Sequence, residues 1–180
     1  GEDAHILGAA LSSVNADNVA QIGTELLTRR PEAGASALVV RDLLISATGY
    51  GNHSVLRFIL DEVAKMTGSP NGLRYSRALA GWLEFLDQEG TSLTALGEGG
   101  TAELKGSIRR LDPLFEQARG IAVDPKSATE ERLVALRLLG RSPDHRAEDL
   151  DSLTSLLTPQ TREDLQSAAI TSVANFSDQG

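Results

Sequence analysis

The stretch ERLVALRLLG at residues 131–140 reappears in altered form 34 residues later, as LQSAAITSVA at residues 165–174. The offset pairs Ala135 with Ala169, Leu136 with Ile170, Leu139 with Val173 and Gly140 with Ala174. Each stretch places small residues where two helices can approach closely, followed by an aliphatic ridge. A spacing of about 34 residues is the length of one helix–turn–helix unit in a stacked α-solenoid. The repeat therefore predicts an α-α superhelix of HEAT or armadillo type.

Composition agrees with a folded helical protein. The chain has 180 residues, of which 41% are hydrophobic and 23% charged, which suits one domain with a sizeable core. Aromatic residues are scarce, at four Phe, two Tyr and one Trp, so Ala and Leu must fill that core. This favours closely packed helices over a β-sandwich, in which aromatic and β-branched residues lead.

Charge and cysteine content exclude several classes of site. The formal net charge of −8 argues against nucleic-acid binding, because phosphate contacts need a cationic surface, and the pairs Arg29-Arg30 and Arg109-Arg110 are too small to reverse it. Without cysteine, the chain can hold no disulfide, no thiolate metal site and no covalently attached haem. No apolar run approaches the ~20 residues needed to cross a bilayer, so we expect no direct membrane insertion.

Helical periodicity recurs along the whole chain, with polar or proline-containing breaks. It predicts about eight to ten helices in one domain covering residues 1–180, with a compact irregular bundle as the alternative arrangement. The predicted segments are residues 3–14, 15–30, 35–47, 52–66, 73–87, 101–110, 113–123, 129–139, 147–157 and 161–175.

Several residues are predicted to cap these helices. Asn52, Asp112 and Thr161 precede apolar periodic segments and are typical N-cap residues. Ser127 followed by Glu130 has the spacing of a capping box.

Residues 90–100 are rich in Gly, Ser and Thr and are predicted to form a mobile loop. The loop would join sub-blocks at residues 1–90 and 101–180. Residues 97–102 also match the G-x-G-x-x-A phosphate fingerprint. No strand is predicted before the match and Glu98 would repel phosphate, so we interpret the segment as a flexible loop.

The titratable residues do not form a motif known for catalysis. His5, His53 and His145 lack the spacing that places two metal ligands on one helix face, and His145 is expected to face solvent from a polar turn. The acidic run at residues 148–151 is interpreted as a helix start and a solvated face. A helical enzyme with a site near residues 90–100, built from His53 and Glu98, remains an alternative.

Tyr75, Trp82 and Phe85 form the one concentration of aromatic residues. Their helical spacing with Leu79 and Leu83 favours core packing over an exposed binding patch. Phe85 points away from Tyr75 and Leu79, so it is the aromatic residue expected to be exposed.

The C-terminal half carries a family resemblance. Its segments are LFEQAR (114–119), Asp124-Pro125, ERLVALRLLG (131–140), LLTPQ (156–160) and LQSAA (165–169). This pattern, over residues 112–176, resembles the HEAT-like helical region of planctomycete-type membrane-bound dehydrogenase proteins. In that family the region lies between a sugar-dehydrogenase-like β-propeller and a C-terminal haem-binding cytochrome domain. The resemblance implies a periplasmic or extracytoplasmic protein. The chain has no Cys-x-x-Cys-His, so no haem-binding or catalytic residue of the family has a counterpart here.

We therefore expect a non-catalytic scaffold without a cofactor, metal or catalytic site of its own. Its partners would be another protein or the neighbouring domains of a larger dehydrogenase and cytochrome polypeptide. A free-standing adaptor of the same fold is the main alternative.

Overall fold

The computed structural model describes residues 36–177 together with Asn18 and Gln21. The helix predicted at residues 3–14, nearly all of the one predicted at 15–30, and His5 lie outside the described residues. Between residues 36 and 177 there are nine helices and no strand, which confirms the all-α class. They are α1 (Ala37–Gly49), α2 (His53–Lys65), α3 (Gly72–Gln88), α4 (Leu93–Gly99), α5 (Ala102–Arg109), α6 (Asp112–Val123), α7 (Thr129–Leu136), α8 (Arg146–Ser155) and α9 (Glu163–Ser177). None of the described helices combines the length and the hydropathy that crossing a membrane requires.

The helices contact one another in two rows. In the first row α1 packs on α3, α3 on α7, and α7 on α9. The second row consists of two separate pairs, in which α2 packs on α5 and α6 packs on α8. Contacts of α1 with α2, α6 with α7, and α8 with α9 join the rows. Helices distant in sequence are thus neighbours along a row, and α4 lies against α5 beside the second row.

Aliphatic and small residues fill the space between the rows, as the composition predicts. A single cluster of buried hydrophobic side chains extends from Val39 to Ala169. Trp82 is fully buried, and its indole Nε1 donates to Thr48 Oγ1 at 3.0 Å. Tyr75 is also buried, so core packing is confirmed for both residues. The expected exposure of Phe85 is wrong: it is half-buried against the core, because α3 contacts α1, α2 and α7 and little of its surface is left free.

The segment predicted as a mobile loop contains a helix. Ser92 Oγ accepts a hydrogen bond from Ala95 N at 3.2 Å and caps α4, and Leu93 is buried. A Cβ added to Gly97 would lie 3.5 Å from Ile108 Cδ1 on α5. Glycine at this position lets the two short helices approach closely. Composition alone does not distinguish a glycine used for helix packing from one in a flexible loop.

One of the predicted caps is confirmed. Asn52 Oδ1 accepts from Val55 N at 3.2 Å and begins α2. Asp112, in contrast, is already the first residue of α6. Thr161 Oγ1 pairs with Thr158 Oγ1, and α9 begins two residues later at Glu163.

The capping box at Ser127 and Glu130 is also wrong. Asp124 accepts both from Lys126 N at 2.9 Å and from Ser127 Oγ at 3.1 Å. This local turn engages the serine hydroxyl, and Ala128 becomes the N-cap of α7 without a side-chain bond. The competition between a turn and a cap decides where α7 starts.

The 34-residue correspondence holds in packing for Ala135 and Ala169 and, less closely, for Leu139 and Val173, which both pack in the core. Both alanines are buried, on α7 and α9. Beyond them Leu136 is fully buried whereas its counterpart Ile170 is 58% exposed. The reason is that α7 ends at Leu136 and the chain turns at Gly140, whose φ is +85°, while α9 continues to Ser177.

Candidate functional site

The residues singled out for the enzyme alternative are not brought into contact. His53 begins α2, and Glu98 is exposed on α4. Both belong to the described part of the chain, and no hydrogen bond or ion pair joins them there. His145, partly exposed as expected, lies with Nδ1 3.6 Å from Glu148 Oε1. Between residues 36 and 177 no group of three or more His, Asp or Glu side chains is arranged to hold a metal ion.

The phosphate-fingerprint segment spans the junction of α4 and α5. The start of α5 is occupied by its own chain, because Thr101 Oγ1 accepts from Leu104 N at 3.2 Å. Glu103 adds an acidic residue in the first turn of α5. The N–H groups that a phosphate would use therefore already face oxygen atoms and negative charge.

The acidic run at residues 148–151 is not wholly solvated, contrary to the sequence interpretation. Asp149 is fully buried, and its Oδ1 accepts from Arg119 Nη1 at 2.9 Å. Its Oδ2 accepts from Gly140 N at 2.8 Å. One carboxylate therefore ties α6, the turn after α7 and the start of α8 together. The partners lie 30 and 9 residues away in sequence, so no local pattern predicts the pair.

A second carboxyl group at the same junction is less well satisfied. Oδ1 of Asp112 is buried and has no hydrogen-bond partner among the described residues. Burial and, next, the charge of Asp144 raise the pKa of Asp112 above its ordinary value, against the opposing effect of His145, Arg109 and Arg119. The folded state therefore favours protonation of this group.

Ion pairs join α3 to α7 and to the turn that follows it. Arg137 binds Glu84 through two hydrogen bonds, Nε to Oε1 at 2.6 Å and Nη2 to Oε2 at 2.7 Å. The hydrogen bond from Arg137 holds the pKa of Glu84 below its ordinary value. Arg141 Nε donates to Asp87 Oδ2 at 3.1 Å, and Arg77 contacts Glu130. These pairs lie along one side of α3 and clamp it to α7.

Two adjoining clefts open around the start of α3. The first, which we name the apolar cleft after the aliphatic side chains of its floor, has a volume of about 220 Å³ and lies between α3, α6 and α7; polar side chains such as Ser76 and Glu131 also line it. Its floor includes Leu114, Ala118, Val134 and Leu138. The basic cleft, of about 440 Å³, is lined by Arg74, Arg77 and Asn71 together with the start of α1. Pro70 and Leu73 line both clefts, so the two are neighbours separated only by the first turn of α3.

Arg74 is the residue in the basic cleft whose bonding is incomplete. Its Nη1 is buried and makes no hydrogen bond within the described structure. The first turn of α3 holds no acidic residue that could balance the charge of Arg74. The side chain of Asn71, the N-cap residue, accepts no hydrogen bond from the helix. Sequence reasoning missed this site; the available signal was an arginine in the first turn of a helix, where acidic residues are usual.

Comparisons with known proteins give no relative for this chain. No protein-family model matches it, and no curated protein and no solved structure does. The resemblance of residues 112–176 to a dehydrogenase-associated helical region therefore stays a prediction.

Proposed function

We propose that this chain is a non-catalytic helical-repeat scaffold of the HEAT or armadillo superhelix type, which mediates protein–protein or inter-domain contacts. The arrangement of α1, α3, α7 and α9 in one row supports a repeating stack, because each helix in the row contacts the next. A stack of this kind offers a long surface and separates whatever binds at its two ends.

The observation that carries the proposal is where the polar side chains bond. The best-formed charged contacts join one helix to another along the stack. Arg137, the C-cap residue of α7, joins the end of that helix to α3, and Arg119 joins α6 to α8. Arg146 joins α8 to α9, donating to the Phe176 carbonyl at 2.7 Å with its guanidinium 5.1 Å from the ring centroid. Clamps at successive junctions resist bending, which a spacer between two functional units requires.

We place this scaffold within a larger redox protein, with catalysis in domains outside this chain. The support is the sequence resemblance of residues 112–176 to the region between a dehydrogenase-like β-propeller and a cytochrome domain. In that setting the helices hold the dehydrogenase head at a fixed separation from the cytochrome, in a periplasmic or extracytoplasmic compartment.

A free-standing adaptor is the second candidate, and the basic cleft favours it. Arg74 lines this cleft, is partly exposed and has no acidic partner among the described residues, so an anionic group could bind it there. An adaptor would supply that partner from another protein, whereas a spacer has no need of the cleft.

The intact mass of the native protein, isolated from its source, together with a haem assay on the same species, distinguishes the two. A polypeptide much larger than 19.1 kDa that carries covalent haem is the expected result and makes the chain an internal scaffold. A haem-free species near 19.1 kDa would overturn the redox placement and leave the adaptor.

A further inference from the structure

We propose that the paired clefts at the start of α3 bind a peptide segment of a protein partner that places a carboxylate beside an aliphatic side chain. The carboxylate would bind Arg74 in the basic cleft and the aliphatic side chain would enter the apolar cleft. This inference rests on the proposed scaffold function and names the chemistry of its partner.

The charge of the occupant follows from Arg74. A guanidinium offers a fixed fork of N–H donors that matches a carboxylate, and the partly exposed Arg74 lines the basic cleft without an ion pair to any described residue. The other arginine in the cleft, Arg77, already contacts Glu130. Among the residues that the structure describes, Arg74 is therefore the arginine of the cleft without an acidic partner, and an anionic group complements it.

The backbone at the start of α3 acts in the same direction. Gly72 N donates to Ser69 O, and Arg74 N and Tyr75 N donate to Asn71 O. These N–H groups are therefore engaged, but the first turn holds no acidic residue that would oppose an anion, so the helix start adds a weak positive field. A carboxylate at Arg74 would lie within this field.

The apolar part of the occupant follows from the adjoining cleft. The floor of the apolar cleft is made by buried aliphatic side chains of α6 and α7, and its volume of about 220 Å³ is enough for one or two aliphatic side chains. Leu73 lines both clefts. The carboxylate and the aliphatic group must therefore be close together in the ligand.

Glu131 sets the orientation of the occupant. It lines the apolar cleft from α7 and does not line the basic cleft. Its negative charge disfavours a carboxylate at that end and leaves the Arg74 end for the acid. Gln117, on the same rim, is already engaged, since its Oε1 accepts from Gly68 N at 3.2 Å.

The test uses two small probes that differ only in the terminal group, which is a carboxylate in one and an uncharged amide in the other. N-acetyl-leucine carries a carboxylate beside an isobutyl group, and N-acetyl-leucinamide has the same apolar group without the charge. Each is titrated into the full chain while backbone amide NMR signals are followed. We expect the acid to shift the signals of Leu73, Arg74 and Ala118 and to bind about tenfold or more tightly than the amide, as befits a charge-assisted hydrogen bond.

Matched variants locate the binding on Arg74. Arg74→Gln should weaken binding of N-acetyl-leucine about tenfold or more. Arg57→Gln, which removes an exposed arginine of α2 that lines neither cleft, should leave it within about twofold, because an exposed charge outside the site is screened. Both variants are first checked for unchanged helical circular dichroism.

Equal affinity for the acid and the amide, or shifts confined to residues outside the two clefts, would overturn the inference even if Arg74→Gln failed to fold. Either of these binding results would overturn only the cleft proposal. The scaffold proposal would stand, because the native mass and the haem assay test it separately. Conversely, a free 19.1 kDa protein that binds the acid through Arg74 would keep the site and remove only the redox placement.

Discussion

Gly140 is the residue at which backbone and packing together leave no room for a side chain. Its φ of +85° is costly for any other residue, and a Cβ there would overlap the ring of Phe176. We expect Gly140→Ala to lower the free energy of unfolding by about 2–4 kcal/mol, measured by urea denaturation.

The control for this prediction is Gly120→Ala in α6. A Cβ at Gly120 meets nothing within 4 Å, so alanine should stabilise the helix by about 0.5–1 kcal/mol. Equal effects of the two substitutions would contradict the turn geometry at Gly140.

Loss of the buried Asp149 carboxylate is expected to destabilise the fold strongly. Asp149→Ala leaves the guanidinium of Arg119 and the N–H of Gly140 without their acceptor, so we expect a loss of about 3–5 kcal/mol in the free energy of unfolding. Asp151→Ala, on the exposed side of α8, should change it by no more than about 0.5 kcal/mol. A loss below about 1 kcal/mol for Asp149→Ala would show that the buried pair contributes little.

At the scale of single elements, periodicity predicts the existence of a helix better than its ends. The apolar pattern of residues 73–87 predicts α3 and the burial of Tyr75 and Trp82, because the spacing of apolar residues directly determines which face is buried. The start of α7 is not predictable in the same way. Ser127, the predicted N-cap residue, donates its hydroxyl hydrogen to Asp124 instead of capping the helix. Helix ends depend on such single hydrogen bonds.

Dependence on tertiary contacts also explains why the sequence did not predict α4 or the paired clefts at the start of α3. Glycine-rich composition predicts flexibility, yet Gly97 allows α4 to pack on Ile108. Neither of the paired clefts is visible in the sequence, because α6 and α7 reach the start of α3 only through the folding of the whole array.

Hydrogen exchange can show whether residues 96–99 form the end of helix α4 or a loop. The backbone N–H groups of residues 96–99 are expected to exchange with deuterium more slowly than those of Leu93 and Thr94 at the start of α4, because the helix supplies acceptors for the former and none for the latter. Ser92→Ala should reduce this protection and cost about 1 kcal/mol of stability, whereas Thr94→Ala, exposed within α4, should do neither. Unprotected amides across residues 96–99 in the original chain would restore the loop interpretation.

The clamp between α3 and α7 gives a pH-dependent prediction for the molecule as a whole. The hydrogen bond from Arg137 lowers the pKa of Glu84 in the folded state, so the pair stabilises the fold at pH values above the ordinary glutamate pKa of 4.5. This stabilisation is lost as the pH falls through the lowered pKa of the folded state. Because the pair is partly exposed, we expect Glu84→Gln to cost less than about 1 kcal/mol at pH 7 and almost nothing at low pH.

The prediction is checked by measuring the thermal stability of Glu84→Gln from pH 7 down to low pH, with Glu116→Gln as the comparison. Glu116 is exposed on α6, so its substitution removes the same charge without breaking a clamp. A cost for Glu84→Gln that stayed constant down to low pH would assign it to packing instead of charge.

At the scale of the whole molecule, we expect the clamped rows to form one rigid spacer. Because the chain has no cysteine, spin labels can be attached at Ser54→Cys on α2 and Ser167→Cys on α9, both at exposed positions. The distribution of distances between them is measured by double electron–electron resonance and compared with that of a pair within α2, Ser54→Cys with Lys65→Cys. A rigid scaffold predicts a single peak about as narrow as that of the within-helix pair. A broad or multiple-peaked distribution between α2 and α9 would contradict the account, because helices that move relative to one another cannot hold two partners at a fixed separation.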